Sequence, residues 1–116
     1  MIPAGQLVDR ATGQVIVERL FIADRFLTRL RGLQFRQPLP AGDGLLLHPC
    51  GSIHTCCVWF DLDLICLDGD GTVVELHSNV RPWRIVLPTR KTVSIVEVTA
   101  GNTRGVVVGC QLALLH

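Results

Sequence analysis

A chain of 116 residues, 48% of them hydrophobic and with a mean hydropathy of +0.40, carries enough apolar surface to fold and too little length for two cores, so disorder is excluded and a single domain over 1–116 is expected. Eleven Lys and Arg against ten Asp and Glu leave a net charge of +1, which gives no overall drive toward nucleic acid or an anionic membrane. No apolar run nears the roughly 20 residues of a membrane span, and Met1–Arg10 lacks the basic start and apolar stretch of a signal peptide, so a cytoplasmic protein with reduced cysteines is expected.

In chain order, Gln14–Ala23 is rich in β-branched and aromatic residues and follows the turn signal Thr12-Gly13, which predicts a long strand hairpinned to Gln6–Val8. Asp24 then offers a cap, and Phe26, Leu27, Leu30 and Leu33 recur at helical spacing, which predicts one short helix at about 25–32, closed by Gly32. Pro38, Pro40, Gly42 and Gly44 mark a loop before the short apolar run Leu45–His48. Strand-like stretches follow at Thr55–Phe60 and Leu62–Leu67, and Asp68–Gly71 turns the second into Thr72–Leu76. Thr92–Val98 alternates, with Val93, Ile95 and Glu97 on one face and Ser94, Val96 and Val98 on the other. A last strand is predicted at Gln111–Leu115, and Ala100–Val108 between them reads as a loop or a brief helical turn. The fold class is therefore mainly β: a single-domain β-sandwich or partly open β-barrel with one short helix.

A series of short segments carries a resemblance. Arg31-Gly-Leu33, Gly44–Leu47, Pro49-Cys50 and Ser52–Thr55 are followed in order by Leu62-Asp63, Cys66–Asp68, Pro82–Arg84, Ala100-Gly101 and Val108-Gly109. In this series the chain resembles the uncharacterised bacterial and archaeal family called domain of unknown function number 192, over about Val15–Leu114. The resemblance implies a β-sandwich or barrel with one helix and brings no activity, cofactor or substrate. The chain departs from it at Val58–Asp61, where relatives carry a Met and a chain-bending Pro, and at the adjacent Cys56-Cys57.

Chemistry concentrates in His48-x-Cys50-x3-His54-x-Cys56-Cys57, a set of imidazoles and thiols of the type that zinc prefers, although the paired Cys-x2-Cys spacing of structural zinc sites is missing. A Cys–His nucleophile pair drawn from the same residues lacks a visible oxyanion element. Asp61, Asp63, Asp68 and Asp70 fail the spacing of a calcium loop, and Asp68 and Asp70 read as turn residues. Asp63 sits inside an apolar strand, where a carboxylate needs a partner such as an arginine or His54. The basic groups Arg25, Arg29, Arg31, Arg36 and Arg81, Arg84, Arg90, Lys91 read as solvated surface, and with two Trp, four Phe and no Tyr there is no stacking array for nucleic acid. Trp83, in a loop between Pro82 and Arg84, reads either as a cap on the core or, if exposed, as a platform for a ligand or a partner's side chain.

The first reading is a small, non-enzymatic binding or accessory domain for a small molecule or protein, with its site at Ser52, His54, Asp63, Trp83 and Arg84 and no cofactor. The alternative is a zinc site or Cys/His-dependent enzyme centred on His48, Cys50, His54 and Cys56. A third is a partner protein that pairs through an open strand edge.

Overall fold

The computed structural model describes residues 2–23, 39–48, 53–54, 61–81 and 85–115, and within them every regular element is a strand. Strands β1 (Ile2–Asp9) and β2 (Val15–Ala23) form the expected hairpin, longer at its first arm than Gln6–Val8. Its turn is closed by Asp9, whose carbonyl accepts from Gly13 at 2.8 Å and whose amide donates to the Gln14 carbonyl at 2.8 Å. Strand β3 (Asp43–Leu47) runs parallel to β2, with Arg19 directly opposite Asp43. The Arg19 guanidinium grips that carboxylate as a fork, Nε to Oδ1 at 2.9 Å and Nη2 to Oδ2 at 2.8 Å, which fixes the parallel register at its first residue pair.

The remaining strands are β4 (Ile53–His54), β5 (Leu62–Leu67), β6 (Val73–Val80), β7 (Ile85–Val86), β8 (Ser94–Thr99) and β9 (Leu112–Leu115). Seven of them make one sheet in the order β6-β5-β8-β3-β2-β1-β9, and β4 pairs with β7 as a separate two-stranded ribbon. The two edges of the large sheet meet. Thr72 bridges Gln111, the Val73 amide donates to the Cys110 carbonyl at 2.8 Å, and the Leu112 amide donates to the Gly71 carbonyl at 2.9 Å. The sheet therefore curls on itself as a partly open barrel, which protects part of both edges.

Two apolar clusters follow from this curl. Inside are Leu7, Ile16, Leu20, Ile65, Val73, Val96, Val98 and Leu112 with their neighbours. On the outer face Leu45, Leu47, Leu62, Leu64, Cys66 and Ile95 form a second cluster, and Val86 of β7 is buried in it, so the ribbon lies over this face. Strands β5 and β8 are covered on both faces, and all of Leu62–Leu67 and Ser94–Val98 is buried. The mainly β expectation holds. The predicted helix at 25–32 and the strand-like Thr55–Phe60 lie outside the described residues, while Ala100–Val108 is a run of turns.

The barrel seam supplies a stability prediction. Gly71 has φ +81°, and a Cβ built there would lie 2.6 Å from the Leu112 carbonyl oxygen, a backbone atom that cannot step aside without opening the seam. Gly71→Ala is expected to cost about 2–3 kcal/mol in chemical unfolding, from overpacking together with left-handed backbone strain.

Candidate functional site

Cross-strand partners share a face of a sheet. Two rows of side chains therefore run across the outer face of the barrel. One row is His77–Leu64–Glu97–Leu45, and the next is Glu75–Cys66–Ile95–Leu47. Most of these are apolar, so the exceptions define the candidate site. Glu97 lies at the middle of the sheet with 1% of its surface exposed, and among the described residues its Oε2 has no hydrogen-bond partner. Burial alone pushes its carboxyl from the ordinary 4.5 up to about 8, so at neutral pH Glu97 is mostly the neutral acid. Cys66 is fully buried one strand away, as the diagonal neighbour of Glu97. At the rim, on β6, the His77 ring Nε2 lies 2.6 Å from Glu75 Oε2, both side chains about one-third exposed.

The residues singled out in the sequence fall as follows. His54 lies in β4 and pairs through its backbone with Ile85 of β7, the residue directly after Arg84. The β4–β7 ribbon that contains His54 lies over the face that carries Glu97. Ser52, Trp83 and Arg84 themselves lie outside the described residues, as do Cys50 and Cys56. His48 follows β3, exposed, with its Nδ1 2.6 Å from Ser94 Oγ.

Asp63 is buried, as expected, but the partners of its carboxylate are main-chain amides where an arginine or His54 was expected. Oδ1 accepts from the Asn79 amide at 2.8 Å and Oδ2 from the Gly101 amide at 2.9 Å. Asn79 sits in the left-handed region at φ 54°, at a bulge where β6 carries an extra residue against β5, and Gly101 turns at φ 89°. Asp63 therefore ties the bulge in β6 to the turn after β8. Asp68 is the turn residue that the sequence indicated, its Oδ1 accepting from the amides of Asp70 at 2.8 Å and Thr72 at 3.0 Å.

Elsewhere, Pro3, Gly5, Gln6, Arg19, Phe21 and Leu115 help to line an open groove of about 450 Å³ beside β1 and β2. Its charged groups are already matched, Arg19 to Asp43 and Glu18 to Arg104 at 3.0 Å, so it lacks an unsatisfied group to direct a ligand. No helix among the described residues is long and apolar enough to cross a membrane.

Residues 7–114 match the family domain of unknown function 192, described as "Uncharacterized ACR". The chain belongs to this family. Among its relatives, a UPF0127 protein of Thermococcus sibiricus is 31% identical over 99 residues, which are 82% of this chain and 64% of that protein, so the chain matches less than two thirds of that relative's length. A UPF0127 protein of Pyrococcus horikoshii is 34% identical over 83 residues, covering 69% of this chain and 71% of that one. The fold is shared with a Sinorhizobium meliloti protein provisionally named a transcription regulator, at a TM-score of 0.80 and 22% identity over 97% of this chain and 92% of that one. A Novosphingobium aromaticivorans protein of unknown function gives a TM-score of 0.75 at 20% identity, over 97% of this chain and 93% of that one. This member of the domain of unknown function 192 family thus has a shared fold, and its chemistry must be argued from its own side chains.

Glu97, Glu75 and His77 were not picked out as site residues in the sequence. A signal was available: Glu97 is the one charged residue inside an otherwise apolar, alternating strand, and Glu75-x-His77 alternates on the arm of the hairpin that faces Cys66.

Proposed function

We propose that this chain is a small, non-enzymatic binding domain whose ligand site lies on the outer face of the barrel, with Glu97 at its floor and the β4–β7 ribbon at its side. The observation that carries the reading is the Glu97 carboxyl, buried on an apolar face with one oxygen unpartnered among the described residues. Leaving such an atom unpaired costs about 1–3 kcal/mol, and a ligand N–H would recover it. The surrounding Leu45, Leu64 and Ile95 favour an apolar body. The ligand class is therefore a small, mainly apolar amine, with Ser52, His54, Trp83 and Arg84 as its polar surround and Asp63 as the structural tie beneath. An ammonium group would supply the counter-charge that Glu97 lacks, and its binding at pH 7 would expel the carboxyl proton.

The test is thermal unfolding of the reduced protein against a panel of small aliphatic and aromatic amines, with Glu97→Gln and His54→Ala in parallel. A bound amine at about 100 times its Kd adds about 2.7 kcal/mol. The expected result is a rise in Tm for the wild type that Glu97→Gln abolishes, with proton release visible as a buffer-dependent heat of binding. No shift across the panel, or an equal shift in Glu97→Gln, would defeat the reading.

A further inference from the structure

We propose that Cys66, Glu75 and His77 form a binding site for a zinc ion, separate from the upstream His48–Cys57 segment. One sulfur, one carboxylate oxygen and one ring nitrogen all lie within 4.8 Å of one another. They are held there by the sheet itself: Cys66 and Glu75 are direct cross-strand partners, and His77, two residues on, faces the same side. The donor set is the thiolate, carboxylate and imidazole mixture that zinc accepts. A tetrahedral ion with bonds of roughly 2.0–2.3 Å spaces its ligands about 3.3–3.6 Å apart. The His77–Glu75 contact of 2.6 Å would thus open by less than about 1 Å, a change open to side chains that are one-third exposed.

Burial decides between metal and nucleophile. Cys, His and carboxylate in sequence could also describe a catalytic triad, but the Cys66 sulfur has 0% exposure, which leaves no approach for a substrate carbonyl. A metal ion needs no such approach to sulfur, because it enters from the rim past Glu75 and His77 and reaches the thiolate from the face they share. Ligation takes Cys66 as the thiolate, so uptake of zinc releases the thiol proton. Three protein ligands leave a fourth position for water, the pattern of zinc sites with an open coordination place. The site holds whether or not an amine binds at Glu97, since the two share a face and no ligand atom.

The test is titration of reduced, metal-stripped full-length chain with Co(II) as a spectroscopic stand-in, followed by competition with Zn(II). The expected result is one equivalent of Co(II) with a thiolate-to-cobalt charge-transfer band that zinc bleaches. Affinity should fall at least tenfold in His77→Ala and in Glu75→Gln, both at the partly exposed rim, while Glu97→Gln and His54→Ala leave it unchanged. Cys66→Ala should lose the band, and if that core substitution unfolds the chain the two rim variants decide alone. Absence of stoichiometric uptake would overturn the proposal. So would uptake that survives His77→Ala and disappears in His54→Ala, since it would place the metal on the upstream segment.

Discussion

Glu97→Gln is expected to make the protein more stable than wild type at alkaline pH and no more stable at pH 4. The buried carboxyl has its proton affinity raised by desolvation, from 4.5 to about 8. Below pH 4.5 it is protonated in the folded and the unfolded chain alike, and ionisation contributes nothing to the balance. Between these values the unfolded chain sheds the proton and the folded one keeps it, so folding loses about 1.4 kcal/mol for every pH unit. Above about pH 8 the folded form ionises too, and the loss levels off at roughly 5 kcal/mol. Glutamine keeps the shape and removes the ionisation. Urea unfolding of both proteins from pH 4 to pH 9 should therefore give stability curves that meet at the acid end and diverge steadily to about pH 8. Curves that stay parallel would mean that Glu97 is ionised in the folded state.

Loss of Asp63 should be the most damaging change to the fold itself. Its two oxygens each take a backbone amide, from residues 16 and 38 positions away, and they hold a left-handed Asn79 and the Gly101 turn in place. Asp63→Ala deletes two charge-assisted hydrogen bonds and leaves both amides without an acceptor, a cost of about 3–5 kcal/mol. Asp63→Asn should recover little of it, because an amide group offers one acceptor and turns its NH2 donor toward the other N–H. Equilibrium unfolding of the two variants, read against wild type, checks both values. A loss under about 1 kcal/mol in Asp63→Ala would show that the bulge and turn stand without it.

The two results bear on different levels of the molecule. Asp63 holds the bulge of β6 at Asn79, while a second bulge, at Val74, sets which residues of β6 face Cys66. Glu97 carries an ionisation cost and leaves Oε2 without a hydrogen-bond partner among the described residues, which is a pattern expected of a group retained for binding.

How much of this was legible in the sequence depends on the range of the interactions involved. Strand β5 was predicted at Leu62–Leu67 and is found there, and the Asp68–Gly71 turn was read correctly, because alternation and turn chemistry act between near neighbours. Pairing was another matter. A two-residue turn at Gly69-Asp70 would set Cys66 against Val73, whereas a turn one residue longer, which pairs Leu67 with Val73, and the extra residue Val74 together move it opposite Glu75. The short strands β4 and β7 carry little signal of their own, and their pairing over the outer face brings together segments some thirty residues apart.

The sequence by itself determined a mainly β chain, most of its long strands, its hairpin turns and its family, since these rest on local periodicity and on short segments in fixed order. It also marked Asp63 as a buried carboxylate. Only the tertiary structure decided what that carboxylate holds, that β8 is covered on both faces so that Glu97 is sealed from water, and that Cys66, Glu75 and His77 converge. Burial and convergence are set by strand order and by curl of the sheet, and these arise from contacts between residues far apart in the chain.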